Sequence, residues 1–311
     1  MKWMTWIWIS VVAIVAVGIW GYWQWTKPYP LPEITDDVTW SDFNLDFQKE
    51  RDSFQMLEQT TQKDIEPPTL PIKDDIRADA AYAYGVLSGD TTYLLHAVQH
   101  NPSHIGYSTA LRMQMNAAGE GEQLLEHLQQ LDTSLPAVKL QIALVYVDYL
   151  QDPSLGTASL GQISFQSIET LNETLEQNPY DWMAHYARGI NNLYWPVGLQ
   201  RIDQSIQDLE FCVAIARAYE HKPTVLWPMA YTTLGDALVK KGEIEQGIQV
   251  WEEGLESYPQ YEELQQRVKQ QDQALELVAA TRGMEQFQRP SQDLTDISVI
   301  WKTDIKGSGN E

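Results

Sequence analysis

Hydrophobic positions along the chain fall into three regimes. From Trp3 to Trp25 the sequence WMTWIWISVVAIVAVGIWGYWQW holds no charge. From Asp74 to about Thr281 apolar residues recur every three to four positions, the period of helices that bury one face. No alternating run there is long enough to argue for a sheet. From Gly283 the chain is polar and ends Gly/Ser-rich, apart from an apolar island at Ile297, Val299, Ile300 and Trp301 that is suited to dock back onto the body. Between the first two regimes, Lys27-Pro28-Tyr29-Pro30-Leu31-Pro32 reads as a stiff polyproline-type spacer that lifts the body away. Ser41 to Leu57, with Phe43, Phe47, Phe54 and Leu57 as apolar points, fits one helix, and Pro67, Pro68 and Pro71 then break the chain. Four parts result: 1–27, a spacer with one short helix over 28–73, a helical body over 74–281 and a polar tail over 282–311.

At about 1.5 Å per residue, a helix of the first run's length spans a hydrocarbon core of roughly 30 Å. Its apolar middle is Ile7 to Ile19. Trp3, Trp6 and Trp8 crowd one end, and Trp20, Tyr22, Trp23 and Trp25 the other. Indole rings favour the membrane–water interface, so two such belts suit a helix that stays in the bilayer. Lys2 and the small-x-small sequence Ala16-Val17-Gly18 also fit a cleaved signal peptide, but the apolar run continues past that point. The expectation is an uncleaved signal anchor. No cysteine lies near it, which excludes a lipoprotein anchor. Lys2 precedes the run, and Glu33, Asp36, Asp37, Asp42 and Asp46 follow it, so the N-terminus is expected in the cytoplasm and the body in the periplasm or outside the cell.

The body reads as repeats. Pro228 to Pro259, PMAYTTLGDALVKKGEIEQGIQVWEEGLESYP, places Tyr231 before Leu234-Gly235 and Leu238, turns at Lys241-Gly242-Glu243, and continues with Gly247, Trp251 and the closing Pro259. This unit resembles the tetratricopeptide repeat (TPR). Gly235 and Gly247 stand where small residues let two helices approach, and Tyr231, Leu238 and Trp251 where large ones fill the space. Gly247 and Gly254 depart from the residues usual there, at some cost in helix propensity. Ile105 to Pro136 fits the same frame, and Pro102 and Pro136 are 34 residues apart, the period of that repeat. Ala137 to Pro179 and Tyr180 to Pro223 are longer, the first by a loop at Asp152 to Ser164, the second interrupted at Tyr194-Trp195-Pro196. Tyr261 to Thr281 reads as a polar-faced capping helix. The resemblance covers roughly Ala80 to Thr281. It implies an all-α fold, a right-handed TPR-like solenoid, here preceded by one transmembrane helix.

Charge narrows the partners. The 21 Lys and Arg less Lys2 and Lys27 leave 19 from Pro28 on, against all 43 Asp and Glu, a formal charge of −24. Such a surface repels nucleic acid and anionic lipid headgroups. Cys212 is the single cysteine, so no internal disulfide forms, and a small buried hydrophobe is its expected role.

Motifs for chemistry are few. His96, His100 and His104 recur every four residues, which is metal-ligand spacing. Asn101-Pro102 breaks the helix before the third, however, and no cysteine or carboxylate joins them closely, so no metal is expected. Gly156 to Gln162 has the two glycines of a phosphate loop, but Gln162 stands in place of its lysine. No cofactor and no catalytic residues are expected.

The best functional candidate is the helix from Asp181 to Trp195. In the repeat family the first helix of each unit lines a groove that grips a peptide. Tyr186, Arg188, Asn191, Asn192 and Tyr194 fall near that side, and Arg and Asn there are suited to bond a peptide backbone or carboxyl end. In the last unit the same register brings Met229, Thr232, Asp236, Val239 and Lys240 to the groove. The reading is a membrane-anchored extracytoplasmic adaptor, not an enzyme, that binds a protein or peptide in the assembly or quality control of an envelope complex. Two alternatives stay open. One is a metal-dependent or enzymatic helical protein using His96/His100 or the 152–164 loop. The other is a structural subunit of a membrane complex.

Overall fold

A computed structural model describes residues 15–35, 37–60, 66–222, 224–291 and 294–302. Among them all regular structure is helical. The first helix, α1, is described over residues 15–26. It is followed by α2 (Gln48–Gln59), α3 (Asp75–Ser88), α4 (Thr91–His100), α5 (Ile105–Ala117), α6 (Gly121–Gln129) and α7 (Pro136–Tyr149). Then come α8 (Thr157–Gln177), α9 (Trp182–Leu193), α10 (Ile202–Ala218), α11 (Leu226–Lys241), α12 (Ile244–Ser257), α13 (Glu262–Lys269) and α14 (Ala274–Arg282).

Local chemistry sets these bounds. Asp74, Asp90 and Asp181 each accept a backbone N–H from the first turn of the helix that follows, satisfying one of its orphan donors. Pro136 opens α7, where its missing N–H costs nothing. Gly242 stops α11 at φ 98°, a left-handed turn that glycine adopts without strain, and α12 starts two residues later.

Helices pair in order: α3 with α4, α5 with α6, α7 with α8, α9 with α10, α11 with α12. The pairs then stack, because α3 touches α5, α5 touches α7, α7 touches α9 and α9 touches α11. Those first helices form an inner layer. Helix α7 carries two cores: Leu140, Ala143 and Leu144 face the larger one, built with α8 to α14, while Val138, Ile142 and Val145 face a smaller one with α3 to α6. Trp251 of α12 is fully buried in the larger core, its Nε1–H donating to the Thr232 carbonyl at 3.1 Å.

Four expectations need correction. Ser41 to Leu57 is not one helix: a 3-10 turn at Trp40–Phe43 ends on Asn44, which has a left-handed φ of 54°, and α2 begins only at Gln48. The capping segment 261–281 is broken at Gln270 into α13, a 3-10 turn and α14. The insertion expected as a loop over 152–164 becomes helical from Thr157, and Ser164 is buried inside α8. The proline spacer lies against the body, with Tyr29 packed on Arg188. The apolar island of the tail is docked, with Ile297, Ile300 and Trp301 buried. The expected span Trp3–Trp25 lies partly outside the described residues, and no helix within them is long and apolar enough to cross a membrane.

Candidate functional site

Helix α9 runs through the centre of the larger core, and every residue of it but Ala187 is buried. It therefore presents polar side chains to neighbours on all sides. Arg188 lies against α10: its Nε donates to Asp208 Oδ2 at 2.9 Å and its Nη2 to Asp208 Oδ1 at 2.7 Å, a bidentate pair. Its Nη1 donates to Asn172 of α8 at 2.8 Å. His185 Nδ1 lies 2.7 Å from the same Asp208. Burial opposes ionisation of Asp208, but Arg188 and His185 together hold its carboxyl below the ordinary range. Asn192 accepts from Arg201 Nε at 2.9 Å, and Tyr186 meets Thr233 at 3.2 Å.

The other candidates form a second buried network where α11 meets α13 and α14. Asp236 accepts Arg267 Nε at 2.6 Å and Arg282 Nε at 2.8 Å. Arg282 Nη1 donates to the Tyr194 hydroxyl at 2.8 Å. Lys240 Nζ donates to the carbonyls of Leu193 (2.7 Å) and Arg282 (2.9 Å). Burial, reinforced by the charge of Arg282, pushes its pKa down to about 7.

All seven sequence candidates are thus buried, and the structure divides them. Arg188, Asn192, Asp236 and Lys240 are tied up in packing between helices. Tyr186, Asn191 and Tyr194 line a cavity of about 890 Å³ along the inner face, with Leu144, Ile190 and Met229 among its apolar walls. One polar atom there is unsatisfied. Trp195 Nε1–H donates to Ser164 Oγ at 2.6 Å, and Ser164 in turn donates to Asn191 Oδ1. That order turns the Asn191 amide round, and its buried Nδ2 has no partner.

The far wall of this cavity is the chain's own tail, residues 288–291 and 294–300. It is fastened along its length. Val197 N–H donates to the Met284 carbonyl at 2.9 Å, and Phe287 packs on Trp195 with ring centres 4.9 Å apart. Arg289 reaches the carbonyls of Leu150, Asp152 and Leu155 at 2.6–2.8 Å. The Thr295 hydroxyl donates to Asp148 Oδ1, and fully buried Arg112 bonds the Thr295 carbonyl, Asp148 and Gln141. Trp301 ends the strip against Phe47, ring centres 6.3 Å apart. Sequence reasoning missed Arg112, Asp148, Asp208 and Arg289. One signal was available for Asp208: it stands among the apolar residues Ile206, Leu209, Phe211 and Cys212, where a charge needs a buried partner.

A second docking region holds the N-terminal segment against α8, α9 and α10. The Tyr29 ring lies 3.6 Å from the Arg188 guanidinium, and its hydroxyl accepts from Arg201 Nη2 at 2.8 Å and Asn192 Nδ2 at 3.1 Å.

The histidines are used locally. His100 Nε2 sits 3.0 Å from Asp75, and His104 is buried as the cap of α5, stacked on Tyr107. Burial pushes its pKa down to about 4. Among the described residues no group of three or more His, Cys, Asp or Glu is placed to hold a metal ion. Cys212 is buried, and burial pushes its thiol well above the ordinary range.

No protein-family model matches the chain, and no curated protein matches it. Among solved structures it aligns with the crystal structure of a thermophilic TPR protein from Thermus thermophilus. The TM-score is 0.47 and the identity 16%, over 73% of this chain and 98% of that one. At that distance no residue role transfers.

Proposed function

We propose that the chain is a non-enzymatic interaction scaffold, held at a membrane by residues 3–25, whose inner face grips a polypeptide. The observation that carries this reading is that the inner face already grips one. Residues 284–291 and 294–301 lie along it, held by main-chain and side-chain bonds and by buried apolar anchors at Ile297, Ile300 and Trp301. A surface that binds main-chain carbonyls and apolar side chains in an irregular segment is suited to a peptide partner. The unfilled length of cavity, with the unpaired Asn191 amide, leaves room for a further apolar segment carrying a carbonyl.

The anchor is supported by the aromatic belts and by α1 itself, where Val15, Val17, Ile19, Trp20, Tyr22 and Trp23 are each more than half exposed and point to all sides. Such a helix has lipid as its natural surroundings. The N-terminus lies in the cytoplasm and the body in the periplasm or outside the cell, following the charge asymmetry of the flanks. In that compartment the scaffold serves assembly or quality control of an envelope complex.

The test places a photo-crosslinking amino acid at half-buried Met229, on the cavity wall, in the full-length protein in its native membranes. The expected product is an adduct of one defined mass with a second polypeptide. Cross-links confined to the chain itself would remove the adaptor reading. Protease digestion of sealed vesicles checks the orientation, with the body expected on the non-cytoplasmic side.

A further inference from the structure

The end of α1 is not followed by a free hinge. Its last carbonyls, which have no partner within a helix, are capped by the body. The Trp25 carbonyl accepts from Arg201 Nη1 at 3.2 Å and from Gln204 Nε2 at 2.7 Å, and Gln204 also bonds the Lys27 carbonyl at 3.1 Å. A cation at this end also complements the helix dipole. The Trp25 side chain is held as firmly. Its Nε1–H donates to the Leu199 carbonyl at 2.7 Å, and its ring packs on Phe165, Trp195 and the Arg201 guanidinium. One turn earlier the Tyr22 hydroxyl donates to Gln200.

We infer that the body rests on the bilayer by one fixed face, centred on Phe165 and Leu199–Gln200, and is not suspended from a flexible tether. This rests on the membrane reading above. The interfacial layer of a bilayer is roughly 5–8 Å deep on each side. Trp20 to Trp25 climbs about 7 Å along a helix, so this aromatic belt occupies that layer. A body residue bonded to Tyr22 or Trp25 stands at the same depth. Leu199 and Phe165, next to that belt, are 43% and 39% exposed, although both are large and apolar. The partner that suits an exposed Leu and Phe beside an interfacial Trp belt is the headgroup–acyl boundary itself. The acidic body does not prevent this contact, because Lys27 and Arg201 stand beside Trp25 and Phe165 and offset the nearby Glu169, so this face does not share the strong negative charge of the rest.

The experiment uses the full chain in phosphatidylcholine vesicles. Leu199→Cys, Phe165→Cys and, as a reference, Ile76→Cys are labelled with an environment-sensitive fluorophore. Leu199→Cys keeps the backbone carbonyl that Trp25 bonds and so carries the test even if Phe165→Cys loosens the Trp25 ring; Ile76 is exposed, and native Cys212 is buried beyond reach of the reagent. On reconstitution the labels at 199 and 165 should lose quenching by aqueous iodide and gain quenching by a nitroxide placed at headgroup depth. The label at 76 should keep its iodide quenching. If the protein floats with the vesicles while all three labels remain equally open to iodide, the fixed face is wrong and the anchor stands. If the protein does not float with the vesicles, the anchor fails and takes the face with it.

Discussion

Neighbouring helix pairs of one stack are held together by opposite means. In α11/α12 the helices meet through glycine. A Cβ on Gly235 would overlap the Trp251 ring, one on Gly247 would lie 2.6 Å from Val239, and one on Gly254 2.6 Å from Tyr231. Close approach and a buried indole hold this pair, and no buried ion pair crosses it among the described residues. In α9/α10 the helices meet through charge: fully buried Asp208 takes Arg188 and His185. Geometric fit tolerates no added volume. A buried ion network tolerates no lost partner. The same architecture therefore has two different points of failure.

The largest predicted effects are of similar size and test opposite mechanisms. Asp208→Ala strands a buried guanidinium and should cost about 3–5 kcal/mol in chemical denaturation. Trp251→Ala opens a cavity and should cost about 3–5 kcal/mol as well. A loss under about 1 kcal/mol in either would show that its pair is not held as described. The double variant Arg188→Met, Asp208→Leu separates the mechanisms further. It removes both charges, so it should cost less than Asp208→Ala alone. An additive cost would mean that the network does not act as a unit.

Acid should distinguish the pairs next. Burial raises the Asp208 pKa, but Arg188 and His185 more than reverse this, so the folded value lies below the unfolded one. Its stabilisation is complete above the ordinary Asp value of about 3.9 and is lost as pH falls through the depressed folded value. Amide exchange in α9 and α10 should therefore accelerate below about pH 4 before it does in α12. Simultaneous loss would argue that the charged pair is no more acid-sensitive than the apolar one. The smallest effect concerns the bond between the two units. Arg217 of α10 and Glu253 of α12 pair at 2.6 Å, but both are about half exposed. Arg217→Ala should change the melting free energy by roughly 0–1 kcal/mol.

The same contrast explains what the sequence made legible. Tyr231, Gly235, Leu238, Gly247 and Trp251 are informative as residue types, because size alone decides whether helices approach, and the α11/α12 unit was readable from them. A buried ion pair has no such mark. Arg188 and Asp208 are 20 residues apart on different helices, and an arginine among asparagines looks the same in sequence whether it faces a ligand or a carboxylate. The N-terminal segment misled for another reason. Phe43, Phe47, Phe54 and Leu57 fit a helical period, yet Phe43, Leu45 and Phe47 are all buried. The 3-10 turn and the left-handed Asn44 that follows bring all three to the core, and Leu45 was the residue that distinguished this pattern from a helix. The C-terminal cap failed at Gln270 to Gln273, where polar residues with good helix propensity gave no sign of the 3-10 break.

The docked tail also changes what any binding measurement on the inner face reports. A segment tethered a few residues from its site is present there at an effective concentration on the order of millimolar, whatever the protein concentration. A free peptide seeking the same strip is read through that internal competitor. Its apparent dissociation constant is the intrinsic one divided by the fraction of molecules with the strip vacant. Weak apparent affinity in the intact chain and strong affinity after removal of residues 283–302 would then describe one and the same surface.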